Sequence, residues 1–489
     1  MLYVTETLKL ESDLYENLVM NMLWNIIFVW AGGSWLSNLV WILWDLGFHN
    51  LIWVDEQDSQ ITQQLQEKWI QIFKHWKYQV KSDDAVIYSA ATKESPEVLK
   101  AFELKKSEHK PFLIWDYFQF LGEMTKYFKS IGFTGTNGKS SSSAMWIHIA
   151  SHCLPNFWIW IVGALVPDFG GKSYMLNMKH KDELKNIFNY IFTWRKLDYS
   201  LVKKYYFLLE SCEYQRHFLN LNLDEAIITS LELEHTDYFK DRDDYQSAFL
   251  EMIANTKYRV YCLKDLNSKK ILSENKVKIA NKERFDMHFV WWEHQQANAS
   301  LVCELLKWLM KNEWIDELAA EDKIRGYLKN FKWIWRRMEF LKTHENWAQI
   351  FSDYGHVASS IELWYKALKE KFPDKKLICI FQPHQIHRIL VGWNEFPNAL
   401  KLYDESYIYD IYAARENIED FANEEIFKNL NLKSVEDLGD AFSNHCWNTY
   451  LKKFNEVENI IKRSDWNCVI VVYSAGNIDF KLRQYLKML

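Results

Sequence analysis

Phe133-Thr134-Gly135-Thr136-Asn137-Gly138-Lys139-Ser140-Ser141-Ser142 has the residue types of a phosphate-binding loop that opens a helix. Gly135 and Gly138 let backbone N–H groups point into one concavity, Lys139 can reach outer phosphate oxygens, and the Ser140 hydroxyl can face a magnesium ion. The chemistry implied is nucleotide use, with ATP as the expected ligand. One position departs from the strict G-x-x-x-x-G-K-S pattern, since residue 133 is Phe and the nearest glycine is Gly132. Two further groups stand where they could serve this loop. Glu210 closes one apolar run and His235 follows another, so in a parallel sheet both emerge at the carboxyl edge, where such folds bind ligands. Glu213 and Glu234 are close enough in sequence to take the same place.

Those residues need a strand before the loop and a helix after it. Tyr127–Thr134 reads as the strand, and Ser141–Ser151, with Ala144, Ile147 and Ile149 and no proline, reads as the helix. Upstream, the apolar runs Ile26–Val29, Leu51–Val54 and Ala85–Tyr88 alternate with helical stretches at Leu36–Leu46 and Ile61–Trp69. That alternation is a doubly wound α/β pattern, with Gly32-Gly33 at its first strand-to-helix turn and Asp55 just past its second strand. A second α/β unit begins near Lys129 and includes Tyr205–Leu209 and Ala226–Thr229. A third begins near Arg336, where Ile350–Ser352, Leu377–Phe381 and Cys468–Tyr473 read as buried strands. No long Pro/Gly/Ser linker marks the joints and no solenoid repeat is present.

With 489 residues the chain exceeds one ordinary core, and three domains fit the motif spacing. The formal net charge of −6, with acidic and basic residues interspersed, leaves no basic stripe for nucleic acid. Seven cysteines scattered singly, without a C-x-x-C pair, are the usage of a reducing cytosol. Met1–Glu16 is acidic and does not read as a secretory signal. Asn17–Trp44 carries no charge and is long enough to cross a bilayer. Asn21, Asn25, Ser34, Ser37 and Asn38 interrupt it and Gly32-Gly33 divides it, which predicts strand, turn and helix instead.

The composition holds an anomaly: 24 Trp stand against 15 Gly. Glycine usually makes up about 7 %, or roughly 34 residues in a chain of this length. Many tryptophans sit where backbone logic asks for glycine, as in Val29-Trp30-Ala31-Gly32-Gly33-Ser34-Trp35, Asn156-Phe157-Trp158-Ile159-Trp160 and Phe331-Lys332-Trp333-Ile334-Trp335-Arg336-Arg337. A gene that uses UGA for glycine, translated with UGA read as tryptophan, accounts for both numbers together.

Several motifs in one order resemble the Mur ligases, the ATP-dependent amide-forming enzymes of peptidoglycan precursor synthesis, nearly end to end. Thr134–Ser140 is similar to the family's phosphate loop, and Leu209–Phe218 and Ile228–Tyr238 to its two metal-site segments. Glu293-His294-Gln295-Gln296-Ala297-Asn298 resembles G-x-H-N-x-x-N, and Arg336-Arg337-Met338-Glu339 resembles R-R-x-E. Asp353-Tyr354-Gly355-His356, then Phe381-Gln382-Pro383-His384 with Arg388, and Ile411–Glu416, are most similar to the member that adds L-alanine. Departures are Gln295 for the first Asn, Trp292 for Gly, Val357-Ala358-Ser359-Ser360 for H-P-T-E, and Trp30 and Trp35 at glycines of the first turn.

The resemblance implies an α/β protein of three domains. These are a Rossmann-like UDP-sugar-binding domain over 1–127, a central P-loop ATPase domain with a mostly parallel sheet over 128–335, and a Rossmann-like amino-acid-binding domain over 336–489. It implies a cytoplasmic ligase joining L-alanine to UDP-N-acetylmuramate with ATP and Mg²⁺, acting as a monomer or weak homodimer without nucleic-acid or membrane partners. Lys139, His235, Arg337 and His356 are then the catalytic candidates. Gly135, Thr136, Asn137, Gly138, Lys139, Ser140, Ser141, Asn298, Arg337 and Asp353 would bind the nucleotide, with Arg336 the neighbouring candidate. Ser140, Glu210 and His235 would hold the metal. Gly32, Gly33, Ser37 and Asp55 would meet the sugar nucleotide, and His384 and Arg388 the amino acid. Two other readings stay open: a recycling ligase that attaches a whole peptide, and a noncatalytic nucleotide binder in which Trp30 and Trp35 block the pyrophosphate.

Overall fold

A computed structural model of the chain describes residues 25–30, 34–56, 60–107, 112–154, 157–193, 202–235, 238–266, 268–287, 293–331, 334–414 and 416–488. Expectations placed on Met1–Glu16, Gly32, Gly33, Trp292, Trp333 and Arg415 lie outside the described residues. Three sheets carry the architecture, and all are mostly parallel.

The first sheet holds β1 (Ile26–Val29), β2 (Leu51–Val54), β3 (Gln71–Phe73), β4 (Ala85–Tyr88) and β5 (Leu113–Asp116) in the order β3-β2-β1-β4-β5. β1, β2 and β4 are buried at every residue, because both faces are covered, and this is why each reads as an unbroken apolar run. The change of direction lies between β1 and β4, so ligands are expected at the carboxyl ends of these two strands. Within the apolar span 17–44, the described residues form the strand β1 and most of the 12-residue helix Ser34–Asp45. Among the described residues no helix is long and apolar enough to cross a membrane.

The second sheet runs β12-β11-β10-β6-β9-β7-β8. Its strands are β6 (Lys129–Thr134), β7 (Phe157–Val166), β8 (Lys172–Leu176), β9 (Tyr206–Glu210), β10 (Glu225–Ile228), β11 (Arg259–Leu263) and β12 (Val277–Ala280). Only β8 is antiparallel to its neighbour. The third holds β13 (Glu339–Thr343), β14 (Gln349–Asp353), β15 (Lys376–Gln382), β16 (Glu405–Tyr409), β17 (Thr449–Leu451) and β18 (Cys468–Ser474) in the order β13-β14-β18-β15-β16-β17, with β13 antiparallel.

Two compact units contain these sheets, Met1–Lys332 and Trp333–Leu489. The first two sheets fall in one unit because they share a hydrophobic core. Phe192, from the helix Lys181–Thr193 of the second, sets its ring 6.3 Å from Trp115, 5.6 Å from Phe120 and 6.0 Å from Phe48 of the first. The helix Tyr117–Thr125 joins the two. Asp116 caps it by accepting from the N–H groups of Phe118 and Gln119, both at 2.9 Å, while Gln119 accepts in return from the Asp116 N–H. Its other side lies against the turn 214–220, where Phe118 stacks on His217 at 4.1 Å and Asn222 donates to the Gly122 carbonyl at 3.1 Å. The third sheet builds its own core from Ile350, Ile378, Ile380, Ile470, Val472 and the helix residues Ile478 and Leu482.

Gly122 tests how tightly that joint is packed. A Cβ there would stand 2.3 Å from the Asn220 carbonyl oxygen, a backbone atom that cannot swing aside. Gly122→Ala is therefore expected to lower stability by about 1–3 kcal/mol, read as a fall in the urea midpoint of unit Met1–Lys332. An unchanged midpoint would show that the joint yields.

Candidate active site

Strand β6 ends at Thr134 and the chain turns through Gly135 at φ +121° and Gly138 at φ +91° before the helix Lys139–Cys153 starts. Both glycines meet two requirements at once, the left-handed backbone and the absence of a side chain. A Cβ on Gly135 would lie 2.7 Å from the Ser230 carbonyl oxygen, and one on Gly138 would lie 2.7 Å from Asn298 Oδ1. The segment after β10 clamps the loop. Ser230 Oγ accepts from the Asn137 N–H at 2.7 Å, Thr229 Oγ1 donates to the Asn137 carbonyl at 2.5 Å, and Thr136 Oγ1 donates to the Glu232 carbonyl at 2.6 Å. Ser140 and Ser141 are buried in the first helical turn.

Lys139 folds back over this loop. Its Nζ donates to the Gly135 carbonyl and sits 2.9 Å from Glu213 Oε1. Burial disfavours the charge, but Glu213 and then Glu234 outweigh it and hold the ammonium above its ordinary value. Glu213 Oε1 also lies 3.8 Å from His235 Nε2. One ligand atom from each of Glu213, Glu234 and His235 falls within 4.8 Å of the others, two carboxylates and an imidazole beside the phosphate loop. Such an oxygen-rich set suits a small hard cation, so the residues fit Mg²⁺. His235 itself is left-handed, at φ +57°, a strain that folded proteins keep mostly at sites.

The grouping differs from the spacing-based one. Glu210, at the end of β9, turns its Oε1 to the Gly163 N–H at 2.9 Å and does not join the group formed by Glu213, Glu234 and His235. The cause is the turn after β9. Gln215 and Arg216 take φ of +50° and +57°, which bends the chain just beyond Glu213, whose carboxylate points to Lys139. Asn298 stands beside Gly138 from the helix Glu293–Asn312, its amide donating to Gln295 Oε1 at 2.9 Å. Thr229, Ser230 and Tyr245, whose hydroxyl is 3.2 Å from Thr136 Oγ1, support the loop without having been singled out. Only the quoted Ile228–Tyr238 segment signalled the first two.

On the first sheet, Ser37 is buried near the start of the helix Ser34–Asp45 and Asp55 is buried just past β2. Both therefore lie at the carboxyl edge expected to receive a ligand. Asp55 Oδ2 accepts from the Trp53 indole at 3.4 Å.

In unit Trp333–Leu489, Asp353 closes β14 and is buried. Its Oδ2 accepts from the Met338 N–H at 2.7 Å and its Oδ1 from the Gly355 N–H at 2.6 Å, so one carboxylate ties the Arg336–Glu339 turn to Tyr354–His356. Burial lifts its carboxyl to about 6 against the pull of Arg337 and these N–H groups. Arg336 is buried, donating to the Ser474 carbonyl with Asp479 3.7 Å away, whereas Arg337 lies with its guanidinium 5.2 Å from the Tyr354 ring centre. Arg336 is thus built into the fold. His356 and His384 have ring centres 6.3 Å apart. Burial and then Arg388 hold both imidazoles below their ordinary value, His384 at about 4, so both are neutral near pH 7.

Comparisons with known proteins agree with this arrangement. Residues 133–310 match the Mur ligase middle domain. A UDP-N-acetylmuramate--L-alanine ligase of Clostridium botulinum is 28 % identical over 487 residues, covering 93 % of this chain and 95 % of the relative. The solved UDP-N-acetylmuramate-alanine ligase of Thermotoga maritima superposes with a TM-score of 0.69 at 19 % identity, over 95 % of this chain and 98 % of that one. A murein peptide ligase of Psychrobacter arcticus superposes less closely, with a TM-score of 0.58 at 17 % identity over 95 % and 98 % of the two chains. Residues 133–310 thus match the Mur ligase middle domain, and over nearly its whole length the chain is similar to these ligases in sequence and in fold.

Proposed function

We propose that the protein is a cytoplasmic ligase that joins L-alanine to the lactyl carboxylate of UDP-N-acetylmuramate, cleaving ATP to ADP and phosphate, in three domains over 1–127, 128–335 and 336–489. The observation that carries this reading is the convergence of Lys139 with Glu213, Glu234 and His235 at the phosphate loop. Curated relatives of nearly equal length bear the name of that reaction.

A carboxylate does not acylate an amine in water, because its oxygen is too poor a leaving group. A carboxylate oxygen therefore attacks the γ-phosphorus of ATP, the bond to the β-bridging oxygen breaks, and ADP leaves. The amine of alanine then attacks the acyl phosphate carbon, the C–O bond breaks, phosphate departs, and the amine loses a proton to give the amide. Backbone N–H groups between Gly135 and Ser140 orient the phosphates. Lys139 offers its charge to the transferred phosphoryl oxygens. Glu213 with Glu234, His235 and Ser140 would hold Mg²⁺, which neutralises phosphate charge when bound. Asn298, beside the loop, offers an amide for the adenine edge, and Arg337 a cation for phosphate. Neutral His356 and His384, with Arg388, are assigned to the amino acid.

Phosphate release by the purified protein should require the sugar nucleotide, alanine and ATP together. Release that ignores the sugar nucleotide refutes the reading. If the alanine-derived tripeptide outcompetes alanine in the same assay, the recycling reaction is the right one. Lys139→Ala is expected to lower turnover about a hundredfold or more, by analogy with lost transition-state donors, and near-normal turnover would remove the phosphate-loop assignment.

Asp353→Ala should do two things, because its carboxylate, which we assign to accept from the ribose hydroxyls of ATP, also ties two backbone turns together. It should raise the KM for ATP and lower the stability of unit Trp333–Leu489 by about 2–4 kcal/mol. The pH dependence follows from the raised carboxyl, about 6 when folded against an ordinary 3.8. Its contribution to stability is complete below about pH 4 and is lost as pH rises through about 6. In Asp353→Asn the midpoint difference from wild type should therefore change between those limits, and a constant difference would contradict the assignment.

A further inference from the structure

Among the described residues, 14 non-glycine positions have φ above zero, and five of them are tryptophan: Trp69 at +61°, Trp76 at +66°, Trp314 at +62°, Trp347 at +68° and Trp447 at +53°. Left-handed backbone is tolerated outside glycine mainly by Asn, Asp and His, while for a bulky side chain it is a true outlier. Packing does not compensate here, because these five indoles are between 71 % and 97 % exposed.

Three of the five end helices in one hydrogen-bond pattern. Trp69 N–H donates to the Gln66 carbonyl at 2.8 Å and Ile70 N–H to Leu65 at 3.1 Å. Trp314 N–H donates to Lys311 at 3.1 Å and Ile315 N–H to Met310 at 3.0 Å, and Trp447 N–H to Asn444 at 3.1 Å with Asn448 N–H to Ser443 at 2.8 Å. This paired 5→2 and 6→1 closure is the motif whose left-handed position is usually glycine. The same chain contains the control. At the end of the helix Ser34–Asp45, Gly47 at φ +87° donates to Trp44 at 2.8 Å and Phe48 to Leu43 at 3.0 Å. Trp347 occupies the tight turn between β13 and β14, donating to His344 at 2.8 Å while His344 N–H donates to Ala348 at 2.9 Å.

Buried tryptophans give a second, independent sign. The indole N–H groups of Trp30 and Trp160 are buried without a hydrogen-bond partner, although a buried indole normally finds one. Trp35 crowds a strand of the second sheet. A Cβ on Gly163 would lie 3.0 Å from its ring and 2.9 Å from Glu210 Oε2, so the indole reaches the strand edge where Glu210 sits.

We infer that positions 69, 76, 314, 347 and 447, together with 30, 35 and 160, are glycine in the protein that the cell makes, because UGA codons in its gene are read as glycine. Independent point changes would have to strike glycine after glycine and always give tryptophan. One reassigned codon does so in a single step, and it also restores the missing glycines. At position 35 it removes the ring from beside Gly163 and Glu210.

Three measurements test this. The codons at the five left-handed positions should all be UGA, and UGG at them would overturn the inference. Peptide mass mapping of the protein isolated from its own cells should give glycine masses at these positions, and tryptophan masses would overturn it equally. In recombinant full-length chain, Trp69→Gly, Trp314→Gly and Trp447→Gly should each raise the folding equilibrium constant about tenfold over the matching alanine variants, since alanine removes the indole but keeps the Cβ. Equal denaturation midpoints for the glycine and alanine variants would show that backbone conformation is not the reason.

Discussion

Glu213, fully buried, faces Lys139 at 2.9 Å, and the rest of the nucleotide site is arranged around that pair. A buried carboxylate is costly unless a cation and hydrogen bonds meet it. Here the cation comes from the first residue of a helix whose start is set by Gly138, and the carboxylate comes from the turn after β9. Parallel pairing of β6 with β9 and with β10 aligns the strand ends, so Phe133 lies opposite Glu210 and Thr134 opposite Ile228. The loop, Glu213 and the Ser230–His235 segment are thereby delivered to one edge. Breaking the pair leaves charge stranded in the interior, so the lysine is held by structure as well as by chemistry.

The same economy governs the C-terminal unit. Asp353 uses both oxygens on backbone N–H groups, and Arg336 is spent on the Ser474 carbonyl and Asp479. Arg337 lies against the same Tyr354 ring as Arg336, at 5.2 Å. Of the two adjacent arginines, Arg336 is the one buried in the turn, at a left-handed φ of +53°, a property of the fold that residue type does not reveal.

Many of the strands buried on both faces are legible in the sequence, though the largely buried β5, β7 and β11 are not among those read. β1, β2 and β4 have the ends that their apolar runs predict, and β9, β10 and β14 differ by a residue or two. The short or half-exposed strands β3, β8, β12, β13, β16 and β17 are also unread, because a partly covered run of three to five residues gives no distinct period. The strand, the turn at Gly135 and Gly138 and the helix that follows agree with the sequence reading, because glycine spacing encodes that geometry directly. Glu213 was only one of several nearby carboxylates, since its aim depends on the turn at Gln215 and Arg216. The core common to the first two sheets was equally hidden. Phe192, Phe120 and Trp115 lie far apart in sequence, and only folding shows that they share one interior.

Glycine serves two separable purposes in this chain, and the difference explains how the fold remains readable despite its tryptophans. At Gly135 and Gly138 backbone conformation and close contact are both required, with neighbours 2.7 Å from a would-be Cβ, and no larger residue can replace them. At helix ends such as 69, 314 and 447 only the conformation is required, and the side-chain direction is open to solvent. A tryptophan there is strained but sterically possible, at about 1–2 kcal/mol each. That strain falls on both units, at about 3–6 kcal/mol for 69, 76 and 314 and about 2–4 kcal/mol for 347 and 447, a sizeable part of the stability of an ordinary domain. The pattern of strands, helices and phosphate loop survives such substitutions because it is written in other residues. Each such site narrows the margin that keeps its unit folded, and glycine at all five would remove that strain without touching the residues that define the pattern.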